Sequence, residues 1–138
     1  MLVDGEGIPL SIVAAGANRH DVKLTKETLE SIQVKRPKAT KKKKQHLCLD
    51  KAYDSDEVRE LAEEFGFTAH IRARGEEAKK LKKNVRKKAR RWVVERTHSW
   101  LNRFRRILVR WEKYPETYIA MLHLACGVIT WRATGLLG

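Results

Sequence analysis

Between Arg91 and Leu108 the chain reads RWVVERTHSWLNRFRRIL, and at about 100° per residue Val93, Val94, Trp100, Leu101, Phe104, Ile107 and Leu108 fall on one broad apolar arc. The spacing predicts a single amphipathic helix over 91–108, and the remaining elements are read around it. Leu2 and Val3, the Asp4-Gly5-Glu6-Gly7 stretch and the apolar run Ile8 to Ala15 predict a hairpin, because Asp-Gly supports a tight turn between β-prone flanks. Asp21 can cap a helix from Val22 to Gln33, with Leu24, Leu29 and Ile32 on its inner side. His46 to Asp50 predicts a short buried strand. Asp54 and Glu57 then make a capping box for a helix whose Val58, Leu61, Ala62 and Phe65 recur at helical spacing up to a stop at Gly66. Phe67 to Ala73 alternates as a strand does, and Pro115 opens a last helix through Trp131 that is apolar nearly all round.

Charge changes this picture at two places. The formal net charge is +13 in 138 residues, and 15 of the 30 Lys and Arg lie between Lys79 and Lys113. Nine bases fall within the thirteen residues Lys79 to Arg91, a density that repels itself unless anions are near, so a polyanionic partner is expected. The segment 34–45 has seven bases in twelve residues and reads as an exposed basic loop, like 74–90. A hydrophobic content of 42% predicts a folded chain of one-domain size. Cys48 and Cys126 are too few for a disulfide or zinc framework, which points to a reducing compartment and to two core thiols. The opening MLVDGEGIPL has no signal-peptide pattern, and the most apolar run, Tyr118 to Trp131, is shorter than the ~20 residues of a membrane span; no membrane partner and a cytoplasmic location are expected.

Two carboxylates stand out against this background. Glu95 lies opposite the apolar arc, with Arg91, His98, Ser99 and Asn102 at spacings of three, four and seven and Arg106 farther along. The ordinary reading is a solvated face stitched by ion pairs. Asp50 closes an apolar strand four residues ahead of the next helix, too early to cap it; strand-end carboxylates are frequent sites of metal and catalytic chemistry, but an ordinary hydrogen-bonded Asp is the commoner case. His20 and Asp21 could be metal ligands, but a capping Asp beside a loop His is the commoner arrangement.

Four segments, DGEGIPLSIVAAGANRHD, LDKAYDSDEVR, FTAHIRAR and RRWVVERTHSWLNRFRRILVRWEK, together resemble the C-terminal half of the catalytic domain of bacterial insertion-sequence transposases of the DDE type. The second and fourth are the specific ones: Asp-Lys-x-Tyr-Asp, and an Arg-x-x-x-Glu-Arg-Thr helix followed by a basic run. The resemblance implies an α/β, RNase H-like (retroviral-integrase-like) fold, a mixed sheet flanked by helices. By position it places the family's second catalytic aspartate on Asp50 and its glutamate on Glu95, both as ligands of Mg²⁺ or Mn²⁺ in a two-metal mechanism with ions roughly 3.5 to 4 Å apart. Lys82, Lys83, Lys87, Lys88, Arg91, Asn102, Arg103 and Arg106 would then contact DNA, at transposon ends and target. A homodimer, or an N-terminal fragment not in this chain, is the protein partner it leaves open.

Two departures qualify the resemblance. Lys88 and Asn102 stand where the family pattern often has Tyr and Lys. The strand bearing the first aspartate has no counterpart, and Asp4 reads as a turn residue rather than a substitute. A truncated, singly inactive catalytic domain over 1–138 is therefore expected, with an unpaired sheet edge. The alternative reading is a basic nucleic-acid-binding protein whose carboxylates have no catalytic use.

Overall fold

The structure, a computed structural model, describes residues 1–16, 21–71 and 92–135, without the side chains of Asp21 and Val22. In chain order the elements are β1 (Leu2–Val3), β2 (Pro9–Ser11), α1 (Asp21–Glu30), β3 (Gln45–Leu49), a 3₁₀ turn (Lys51–Tyr53), α2 (Asp56–Glu64), β4 (Phe67–Ile71), α3 (Trp92–Leu101), α4 (Arg105–Leu108) and α5 (Pro115–Ala133). The fold is mixed α/β, and its contacts divide into two units. One comprises Met1–Ala15, Ser31–Gln33 and Arg91–Gly138; the other comprises Gly16–Glu30 and Val34–Arg90.

In the first unit β1 and β2 pair antiparallel, Leu2 opposite Ser11 and Val3 opposite Pro9, with an irregular register between. The predicted second strand ran to Ala15; the ladder ends at Ser11 because its partner has only two residues to offer. Asp4 is a turn residue, as expected. Its carboxylate accepts from the backbone N–H groups of Glu6 at 2.8 Å and Ile8 at 2.9 Å. Gly7 then takes φ +86, a left-handed conformation that L residues rarely adopt. A Cβ here would meet Thr97 Oγ1 at 3.1 Å and Arg96 Nε at 3.2 Å, so the turn sits directly on α3.

The predicted continuous helix is two. After α3 the chain tightens, with Arg103 N–H bonding Trp100 O and Phe104 N–H bonding Leu101 O; Phe104 is then extended, φ −86 and ψ 101, before α4 restarts. In an unbroken helix Leu108 would lie within about 20° of Leu101 and Ile107 about 120° away. The break reverses this, leaving Leu108 60% exposed and Ile107 8%. Ile107 joins a core with Leu101, Leu122, Ala125, Cys126 and Ile129, flanked by Met1, Ile12, Trp100, Phe104 and Tyr118. Val94, also assigned to the apolar arc, is exposed. Helix α5 carries Pro115 in its first turn as predicted, buries one face in that core, and leaves Leu124 and Trp131 exposed.

In the second unit β3, α2 and β4 form a β-α-β passage with β3 and β4 parallel, from Gln45 opposite Phe67 to Leu49 opposite Ile71. Its buried apolar residues are Leu29, Leu47, Val58 and Ala62. The cap of α2 is Ser55, whose hydroxyl accepts from Val58 N–H; the predicted capping Asp54 instead pairs with Arg59. Ser55 is one residue closer, so its oxygen reaches the third helical amide. Gly66, φ +75, ends the helix as expected, its N–H bonding Glu63 O at 2.8 Å. Strand β3 is buried on one side only: Leu47 points in, and His46 and Cys48 are exposed. Cys48 is therefore no core thiol, whereas Cys126 is buried. The 34–45 loop is mostly exposed, except that Arg36 lies over the Phe67 ring at 4.1 Å and donates to Gln45 Oε1 and Phe65 O. The predicted capping by Asp21 and the placement of His20 fall outside the described side chains.

Two outcomes are expected. Gly7→Ala adds both a strained φ and a close contact with Thr97, and should lower stability by about 2 kcal/mol in urea denaturation. Native thiol labelling should modify Cys48 alone, because Cys126 is enclosed and burial pushes its thiol pKa up; two labels without denaturant would contradict this packing.

Candidate active site

Helix α3 presents its residues in two opposed sets. Val93, Thr97 and Leu101, at i, i+4 and i+8, are buried; Glu95, His98, Ser99 and Asn102 are exposed. The inward set is held by polar contacts as well as packing. Thr97, fully buried, donates its hydroxyl to Gly7 O at 2.6 Å and lies 3.1 Å from Val93 O. Arg96 donates to Glu6 O, and its guanidinium lies over Trp92 at 4.4 Å and Trp100 at 5.1 Å. Arg96 and Thr97 escaped sequence reasoning as site-forming residues. The signal was there for Thr97, which continues the Val93 to Leu101 stripe.

The ring of polar groups expected around Glu95 is thus a real exposed face on α3. No ion pair closes on Glu95 among the described residues, and Arg91, four positions before it, lies outside them. Arg103 and Arg106 are exposed beyond the helix break, and Arg106 pairs with Glu112 at 2.9 Å. Arg91, Lys82, Lys83, Lys87 and Lys88 lie outside the described residues.

Asp50 stands at the end of β3 in the other unit, exposed, at the carboxyl edge of a parallel strand pair. The structure gives it a hydrogen-bonded task, the commoner case for such an aspartate. Its carboxylate accepts from Lys51 N–H at 2.6 Å, and it caps the 3₁₀ turn that begins at once, before α2. A carboxylate has about four lone-pair positions, so capping and ligation are compatible. Toward the other end of β3, His46 Nδ1 and His70 Nε2 lie 2.8 Å apart. Among the described residues no three His, Cys, Asp or Glu side chains cluster as a metal site, and no helix is long and apolar enough to cross a membrane.

Residues 47–132 match the family model described as transposase DDE domain, a span that includes both carboxylates. The chain is also 32% identical over 141 residues to a protein of Burkholderia cepacia named as a transposase for insertion sequence element IS402, covering 95% of this chain. It spans 61% of that relative's length. No solved structure matches.

The cap and the exposed helix face separate structural from chemical effects. Asp50→Asn keeps a good capping side chain and should be near neutral in stability, whereas Asp50→Ala should cost about 1 kcal/mol. Glu95→Gln should stay within about 0.5 kcal/mol of the parent. Denaturation midpoints check all three; a strongly destabilised Glu95→Gln would mean that Glu95 serves the fold.

Proposed function

Because the chain belongs to the transposase DDE domain family, we propose that it is part of a DNA transposase, an RNase H-like domain that binds DNA and carries two of the carboxylates used to cut and join strands. The observation that carries this reading is that the family match contains Asp50 and Glu95, and both are exposed, one at the carboxyl edge of a parallel strand pair and one opposite the buried stripe of its helix.

The donor chemistry suits a hard divalent cation. Both groups are carboxylates presented to solvent, the ligand type that Mg²⁺ and Mn²⁺ take. Asp50 and Glu95 would each offer a carboxylate oxygen to such an ion, which would activate a water or a 3′-hydroxyl and neutralise charge on the leaving oxygen. The chain's own residues do the positioning. The Lys51 N–H fixes the Asp50 carboxylate, and the Thr97 and Arg96 contacts fix the rotation of the helix that bears Glu95. Arg91, Arg103, Arg106 and the lysines at 82, 83, 87 and 88 neutralise phosphate, as the density of bases supports, and the Asn102 amide donates a hydrogen bond to it. A further carboxylate would complete the family's set of ligands.

The test is relaxation of supercoiled plasmid with Mn²⁺. The purified chain is expected to leave plasmid intact, and nicking should appear when the part of the Burkholderia relative that this chain does not span is supplied in trans. Glu95→Gln and Asp50→Asn should each abolish it. Nicking that persists in Glu95→Gln, or no nicking by the combination while DNA is bound, refutes the catalytic assignment and leaves the non-catalytic DNA-binding reading. Nicking by the lone chain that Glu95→Gln abolishes shows instead that the completing carboxylate lies within the 138 residues.

A further inference from the structure

The segment after the helix break carries a surface that the proposed site does not use. Between Arg103 and Tyr114 there are five bases, and the only acid is Glu112. The Glu112 side chain is 4% exposed, turned inward to the Arg106 guanidinium at 2.9 Å, and its oxygens make no hydrogen bond of good geometry to any other described group. Trp111 and Lys113, on either side of the inward Glu112, are both exposed. Trp111 and Tyr114 are each 72% exposed, and Leu108 and Val109 beside them are also exposed. The pair is closed on the Glu112 side and open on the Arg106 side, whose side chain is 66% exposed. The visible surface is two large aromatic rings among exposed Arg105, Arg110 and Lys113 with no exposed acid between them.

We propose that Trp111 and Tyr114 form a stacking platform for unpaired DNA bases, with Arg105, Arg110 and Lys113 holding the adjoining phosphates. Charge selects this occupant. Two copies meeting through this surface would bring like charges together, whereas a single DNA strand offers a π-face for each ring and a phosphate for each base. Duplex DNA hides its base faces, so the rings discriminate between strand states where the bases alone do not. The inference rests on the reading of the chain as a DNA-binding transposase domain and adds to it a preference for opened strands.

The experiment compares the full chain's affinity, by fluorescence anisotropy, for a single strand of about ten thymidines and for a blunt duplex of about the same charge. Each aromatic should contribute roughly tenfold to single-strand affinity. The Trp111→Ala, Tyr114→Ala double variant should therefore bind the single strand on the order of a hundredfold more weakly and the duplex nearly as before. Trp111→Phe should retain most of the affinity, and melting should be little changed because both rings are exposed. Equal losses on both DNAs, or no loss on the single strand, overturn the proposal while leaving duplex binding intact. So does a double variant whose only change is in oligomeric state by sedimentation, since the rings then serve a protein contact. Failure of the parent chain to bind either DNA defeats the DNA-binding reading itself, a result distinct from the others.

Discussion

Much of the first unit follows from one contact, the Thr97 hydroxyl on the Gly7 carbonyl, with Arg96 closing on the carbonyl of Glu6 beside it. A buried carbonyl without a donor is costly, and Thr97 is positioned to supply one only if α3 is rotated with Val93, Thr97 and Leu101 inward. That rotation decides the rest of the helix. Glu95 precedes Thr97 by two residues, roughly 200° around the axis, so fixing Thr97 inside fixes Glu95 outside. The left-handed Gly7 is part of the same arrangement, since the turn approaches the helix more closely than a side chain there permits.

The break after α3 follows from a competition between helix continuity and packing. Continuing the helix would have aimed Leu108 at the core and left Ile107 aside; a short tightening and one extended residue at Phe104 exchange them. Arg103, Arg105 and Arg106 are exposed around the break. The inward Glu112 pairs with Arg106. The break that buries one isoleucine thus adjoins the basic and aromatic surface downstream of Glu95.

In the second unit the parallel pairing of β3 with β4 puts Asp50 at a strand end where the backbone turns at once into a 3₁₀ helix. Its cap bond limits the carboxylate to a narrow set of orientations without removing its capacity to accept further bonds. The aspartate is therefore a structural residue and remains a chemically eligible one.

The sequence by itself determined the elements and their order. Periodicity marked the β-α-β passage, Gly66 marked the end of its helix, Asp4 marked the turn, and the exposed face around Glu95 followed from helical phase alone; these are local signals, carried by residues a few positions apart. The family, too, was legible, in two short motifs and a run of bases. What only the tertiary structure decided were choices between local options of similar energy: Ser55 over Asp54 as the cap, two helices instead of one over 91–108, an exposed Cys48, and the acceptor that Thr97 bonds. Each depends on a partner distant in sequence or on which face of an element the core covers. Thr97 takes its acceptor from Gly7, ninety residues away, and no spacing rule within a helix could have named that acceptor.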